Sequence, residues 1–326
     1  MPADQTSLDV SIGATGLTAT RICIGTSALG DMPDTYGYGV DEQRAIDTIN
    51  AVLDSPIRFL DTSRNYGFGR SEERVGKALR ARGGLPDGFV LATKLDRNNE
   101  TDRFDGDQAR RSLEESLEAL GIDRVPILHL HDPEYVPNLE QVTRPQGALQ
   151  TLFEFKEKGL ADAVGLAAGR VDVMMPLLDD WDFDALITHN RFSLINRNAE
   201  AMIDKAHAKG VAVFNAAPYG GGVFAKGSDT YNRLTYQEAS DEMLDPVRKI
   251  EAICAKYDIP PGAAALQFSM RDPRITSTIC GCSRPERVAQ TLEWANWSIP
   301  SGFWDDVAGI PVTYDDPEAT RDYKLG

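Results

Sequence analysis

The 326-residue sequence predicts an α/β fold, a (β/α)8 TIM barrel with an N-terminal β-hairpin, spanning residues 1–326 as a single domain. Three observations predict it. Short apolar runs alternate with helical patterns, the runs number eight, and polar residues of complementary chemistry stand where consecutive strands end. That rim is where such barrels place catalysis.

The first strand candidate covers 21–25. The second, 57–60, is bounded by Ser55-Pro56 and closed by Asp61. A helix over 73–80 follows, with Val75, Ala78 and Leu79 at helical spacing and Ser71 as its expected N-cap. The third strand, 89–93, ends in Lys94, and a helix over 108–120 follows with Leu113, Leu117 and Leu120 on one face. The fourth strand, 125–130, ends in His131. Strands at 161–166, 185–188, 211–215 and 276–280 complete the count, with helical patterns filling most gaps. The rival is a doubly wound sheet, which usually has a G-x-G-x-x-G turn after its first strand. Here that turn reads Gly25-Thr26-Ser27-Ala28-Leu29-Gly30, and the spacing is missing.

No linker, low-complexity stretch or internal repeat divides the chain. There is no basic, apolar signal peptide, and no run approaches the roughly 20 apolar residues that span a bilayer. A cytoplasmic protein is expected. Cys23, Cys254, Cys280 and Cys282 form neither C-x-x-C nor a paired framework; Cys23 and Cys280 fall in expected strands, where buried reduced thiols are expected, and structural zinc is not. The formal charge of −16 argues against nucleic acid and anionic membrane as partners. It leaves room for a nucleotide, which needs only local positive charge or a helix N-terminus. Ser283-Arg284-Pro285-Glu286-Arg287 offers both where the last barrel helix starts.

Asp61, Tyr66, Lys94 and His131 compose an acid/base site for an oxygen substrate. A free phenol, with a pKa of about 10, exchanges protons poorly near neutrality unless its anion is stabilised. A lysine ammonium can do that, and a paired carboxylate keeps the lysine charged and in place. A histidine opposite can hydrogen-bond a carbonyl or alcohol oxygen. The set contains no electron carrier, so a redox reaction here requires a borrowed hydride cofactor.

These residues carry a resemblance. Asp61-Thr62, Tyr66-Gly67-Phe68-Gly69-Arg70-Ser71-Glu72, Thr93-Lys94 and His131-Asp132-Pro133 resemble the aldo-keto reductase superfamily, from the opening Gly13-Ala14-Thr15-Gly16-Leu17 hairpin to about Trp294. Within it they look like the branch containing the D-threo-aldose (L-fucose) dehydrogenases and pyridoxal 4-dehydrogenases. The resemblance implies that Asp61, Tyr66, Lys94 and His131 are the catalytic tetrad. It implies a nicotinamide cofactor at Thr26, Asp61, His189, Ala217, Tyr219, Gly220, Gly222, Gly281, Cys282, Arg284 and Arg287. No metal is expected.

The sequence also departs from that family. Gly165-Leu166-Ala167-Ala168-Gly169 stands where Ser-Asn usually holds the nicotinamide carboxamide, and His189-Asn190 stands where a glutamine is common. Ala216 takes the usual place of a stacking tyrosine, leaving Phe214 or Tyr219 to replace it. The three glycines at 220–222 let backbone approach the pyrophosphate. Ile279-Cys280-Gly281-Cys282 lacks the lysine of NADPH-preferring members, so NAD is expected, with NADP possible.

His129-x-His131 points both rings to one side of a strand, as in metal-dependent hydrolases. Four histidines in the whole chain make that reading remote, and His129 is expected to be hydrogen-bonded in the core. The expected activity is oxidation of an aldose at C1 to its lactone. Lys94 should depress the pKa of Tyr66, Asp61 should pair with Lys94, and His131 should orient the oxygen. Pyridoxal 4-dehydrogenase-like chemistry and general aldehyde or ketone reduction are alternatives, with a non-catalytic nucleotide-sensing subunit more remote. The expected partner is a small sugar, aldehyde or alcohol, with Tyr36, Tyr38, Phe68, Tyr135 and the 131–147 loop walling its pocket. Oligomeric state is left open.

Overall fold

A computed structural model describes residues 8–321. Strands β1 (Asp9–Ser11) and β2 (Thr18–Thr20) form the expected hairpin. The barrel strands are β3 (Ile22–Gly25), β4 (Phe59–Asp61), β5 (Val90–Leu95), β6 (Val125–His131), β7 (Ala161–Ala167), β8 (Ala185–His189) and β9 (Ala212–Ala216). A small ribbon, β10 (Arg233–Leu234) with β11 (Gln237–Glu238), lies in the connection to the last barrel strand, β12 (Ser277–Gly281). The eight barrel strands close in the order β12-β3-β4-β5-β6-β7-β8-β9, every pair parallel.

Alternation along the strands explains how the chain fills this shape. On β5, Val90 and Ala92 join the interior cluster while Leu91 and Leu95 pack outward against helices. On β6, Ile127 is interior, and Leu128 and Leu130 face the helices. The same period sends Lys94 and His131 inward at the tops of their strands. Ile12 and Ala19 of the hairpin join Phe59, Val90 and Ile127 at the barrel floor, so the hairpin plugs the end opposite the polar rim.

The helix expected over 73–80 runs from Arg70 to Ala81, and its N-cap is Gly69. Ser71 lies inside the first turn. Its hydroxyl donates to Thr26 Oγ1 at 2.7 Å and lies 3.1 Å from Thr62 Oγ1, tying the helix to the ends of β3 and β4. Glu72 adds a tie to β5 by accepting from Thr93 Oγ1 at 2.5 Å. The second helix starts at Gly106, where Asp105 caps it by accepting from Gln108 N–H. Beyond the barrel, a strap of residues 313–321 crosses the rim. Thr313 bridges to Asn196, and Asn198 Nδ2 donates to Tyr314 O at 2.7 Å.

Candidate active site

Lys94, at the top of β5, donates from Nζ to Asp61 Oδ1 and to Thr62 O, each at 2.7 Å. Its ammonium lies 4.7 Å from the centre of the Tyr66 ring. The His131 ring stands edge-on to Tyr66 with centroids 5.8 Å apart. All four expected catalytic side chains line one cavity of about 160 Å³. The Tyr66 loop reaches this position because Gly67 (φ +62°) presses against Gly30, where an added Cβ would sit 1.8 Å from a carbonyl oxygen. No side chain fits there.

The site holds a second carboxylate that sequence reasoning missed. Asp96 Oδ1 lies 2.5 Å from His131 Nδ1, while Oδ2 accepts from Ser63 Oγ at 2.7 Å and from Asn65 N–H at 2.9 Å. Asp96 stands two residues past Lys94, the spacing that returns a strand side chain to the same face, and that signal could have found it. Burial alone would raise its pKa; the His131 charge and these hydrogen bonds outweigh burial and hold Asp96 below the ordinary range. Burial likewise disfavours a charged His131, but Asp132 and Asp96 overcome it and raise the imidazole. Nε2 is then the nitrogen left to meet a substrate.

The expected effect of Lys94 on Tyr66 is not found. Burial, then the nearby Asp61 charge, push the phenol well above its ordinary value. Asp61, paired with Lys94 at 2.7 Å, sets its negative charge against that of the ammonium beside the phenol. Asp61 itself is raised, burial outweighing Lys94.

His129 is not hydrogen-bonded as expected. It is buried one layer below His131, stacked on Phe214 at 6.0 Å, and neither ring nitrogen has a partner among the described residues. Burial pushes its pKa well down, so the ring is neutral. Phe214 is committed to this lower layer, lying 5.1 Å from Phe59, and lines neither cavity of the rim.

A larger cavity of about 390 Å³ adjoins the first, sharing Ala28, Tyr36, Ala217, Tyr236 and Gly281. Arg44, Lys226, Arg284 and Arg287 line it. Among the described residues no carboxylate forms an ion pair with any of the four. Burial, reinforced by Arg287, Arg233 and Arg284, lowers Lys226 to about 8. Uncompensated cations crowded into one pocket of a chain with net charge −16 suit a polyanion. The paired cavities thus suit a phosphate-bearing ligand, with Arg44, Lys226, Arg284 and Arg287 placed to meet its phosphates.

Of the residues expected to hold the cofactor, Asp61, His189, Ala217, Tyr219, Gly222, Gly281, Arg284 and Arg287 line these cavities. Thr26, Gly220 and Cys282 do not. Thr26 Oγ1 donates to Asp61 O at 3.0 Å beneath the rim, and Cys282 is buried beside Thr291. Lys226, Arg44 and Tyr236 are additions with no sequence signal. Of the expected pocket walls, Tyr36 and Tyr38 line the cavities, whereas Phe68, 55% exposed, and Tyr135 line neither.

His189, at the end of β8, is fixed from a distance. Its Nδ1 lies 3.1 Å from Glu318 Oε1 on the strap, an oxygen that also accepts from Asn190 Nδ2 at 2.8 Å and Arg191 Nη1 at 3.3 Å. Arg321 donates to Glu318 Oε2 at 2.7 Å and itself lines the smaller cavity. Burial would raise Glu318, but His189, Arg191 and Arg321 hold it far below the ordinary carboxylate range. The Ala167 and Ala168 backbone passes the same cavity and supplies no side-chain donor.

Comparison with known proteins is consistent with this geometry. The model of the Aldo/keto reductase family matches residues 21–310. The chain is 28% identical to D-threo-aldose 1-dehydrogenase of a Pseudomonas species, covering 93% of this chain and 98% of the relative. It is 27% identical to pyridoxal 4-dehydrogenase of Microbacterium luteolum, covering 90% and 94%. The fold matches an aldo-keto reductase of Bacillus halodurans in its holo form, with a TM-score of 0.75, 19% identity and coverage of 96% and 99%.

Proposed function

The chain belongs to the aldo/keto reductase family and is an oxidoreductase, and from that premise we propose that it oxidises an aldose at C1 to the lactone. The observation that carries this reading is the gathering of Asp61, Tyr66, Lys94 and His131 around one cavity that opens into a cation-lined neighbour. The nature of the substrate rests on likeness to D-threo-aldose 1-dehydrogenase. NAD is the proposed nucleotide, because Gly281 leaves no charge at the end of β12; Lys226, Arg284 and Arg287 give NADP a foothold.

A nicotinamide cofactor, its phosphates held by Lys226, Arg284 and Arg287, would supply the hydride acceptor for C1. The protein's part is to hold the C1 hydroxyl between Tyr66 and His131. Asp96 accepts Nδ1–H of His131, and Asp132 and Asp96 together favour the protonated ring, whose Nε2–H donates to the substrate oxygen as it becomes a carbonyl. The hydroxyl proton passes to the Tyr66 oxygen, which must first have lost its own. A phenol raised by burial keeps that proton near neutrality, so oxidation should accelerate as pH rises. Lys94 and Asp61, paired at 2.7 Å, brace the site beneath Tyr66.

The protonated phenol favours a second reading, reduction of an aldehyde or ketone, in which Tyr66 donates to the carbonyl oxygen. One assay separates the two. Aldoses, pyridoxal and simple aldehydes are screened with NAD, NADP and their reduced forms by nicotinamide absorbance. Aldose oxidation supports the first reading; turnover confined to carbonyl reduction supports the second.

A further inference from the structure

Asp132 follows His131 directly, and beyond its charge acting on that ring its carboxylate makes no hydrogen bond among the described residues. It stands at the N-cap of the short turn Pro133–Tyr135, a position where aspartate commonly caps the backbone, yet its side chain makes no capping bond. Among the described residues no donor lies within hydrogen-bonding distance of it; its nearest cation is His131, with Oδ2 3.6 Å from Nε2. The residue is 8% exposed and lines the catalytic cavity. Asp61, the other carboxylate lining this cavity, is engaged by Lys94, and Asp96 and Glu318 behind its walls are likewise held by protein donors.

The backbone holds Asp132 in the left-handed region, φ 44° and ψ 50°, which side-chain-bearing residues seldom adopt. The conformation is fixed by Asp132 N–H donating to Ala167 O at 2.9 Å. Strain of this kind collects where a side chain must be aimed. Here it aims a carboxylate beside the nitrogen that meets the substrate oxygen.

We propose that Asp132 is a substrate contact that selects polyhydroxylated substrates, its carboxylate accepting a hydrogen bond from a hydroxyl on the carbon next to the reacting one. This rests on the aldose reading above. Oxygens on neighbouring carbons are spaced much like a hydrogen-bonded pair, so one can face His131 Nε2 while the next faces Asp132. A substrate without that second hydroxyl would bury a carboxylate with no donor, and an anionic group there would be repelled. The site therefore discriminates against both.

The test compares wild type, Asp132→Gly and Asp132→Asn in steady-state kinetics. Glycine suits the left-handed backbone and removes the carboxylate; asparagine tolerates that backbone and removes only the charge. The probes are aldoses, the matching 2-deoxy sugars, and 4-nitrobenzaldehyde as a hydroxyl-free carbonyl. Wild type should prefer an aldose over its 2-deoxy counterpart by on the order of 10–100-fold in kcat/KM, as expected when a buried polar group is left unpaired. Asp132→Gly should abolish most of that preference through KM, and should lose at least about tenfold more on the aldose than on 4-nitrobenzaldehyde. Asp132→Asn should fall between.

Equal losses on all three probes would overturn the inference, because Asp132 would then act through His131. A wild type that oxidises aldoses without preferring the 2-hydroxyl would overturn it while leaving the aldose reading intact. A wild type that turns over only 4-nitrobenzaldehyde would overturn both.

Discussion

Replacing Glu72 by glutamine should make the protein more stable at alkaline pH and remove a pH dependence that wild type carries. Glu72 is fully buried in the first turn of the helix Arg70–Ala81. Oε1 accepts from Thr93, while Oε2 makes no close hydrogen bond among the described residues. Burial raises its pKa from 4.5 to about 7 against the pull of the Thr93 and Ser116 hydroxyls. In the unfolded chain the proton leaves near pH 4.5, whereas in the folded chain it stays until about pH 7. Across that window the folded state binds more protons, so stability falls as pH rises and levels off above it. At about 1.4 kcal/mol per unit, the loss is about 3 kcal/mol. Glutamine has nearly the same shape and no charge, so this loss should vanish. Equilibrium urea unfolding of both proteins between pH 5 and 8, followed by tryptophan fluorescence, measures it. Stability curves that run parallel with pH would refute the reasoning, because Glu72 would then ionise alike in the two states.

Tyr66→Phe should reduce turnover by about 10²–10⁴-fold, the scale of general acid–base catalysis, while isothermal titration finds nucleotide binding nearly unchanged. Gly281→Lys should tighten NADP binding by roughly tenfold and leave NAD little affected, as a partly exposed charge-assisted contact would. A Cβ at Gly281 meets nothing within 4 Å, so the lysine has room; dissociation constants for both nucleotides decide the matter. Asp96→Asn should lower the pH at which His131 titrates, since Asp96 is one of the two carboxylates that raise it. Histidine side-chain NMR would read that directly, and an unmoved titration would show that Asp132 alone suffices.

The barrel and the four rim residues were legible because they are local properties. Apolar runs, their period and the residue that closes each strand are all read within a short window, and strand alternation then points Lys94 and His131 inward. What escaped was set by tertiary contact. Glu318 meets Asn190 across 128 residues of sequence, and no local pattern announces the strap that brings it there. Lys226 reaches the larger cavity from a short helix in an irregular connection, and Tyr236 from the turn of a two-residue ribbon. The expected effect of Lys94 on Tyr66 failed for another reason. Pairing with Asp61 was foreseen, but whether a pair leaves any net field at a third group depends on distances that spacing does not encode.

The closure of the barrel orders events in time. Thr278 pairs with Ile22 and Ser277 with Phe214, so the last barrel strand joins the first to the seventh. As the chain leaves the ribosome, β3 and β9 therefore remain open sheet edges until residues 277–281 emerge, and such edges are templates for wrong pairing. Completion of the active centre comes later still. Arg191, buried to within 3% of full enclosure, meets its carboxylates only when Asp316 and Glu318 have docked. A nascent chain can thus hold every residue of the proposed tetrad and still lack the clamp on His189, so this wall of the smaller cavity is completed among the last steps of folding.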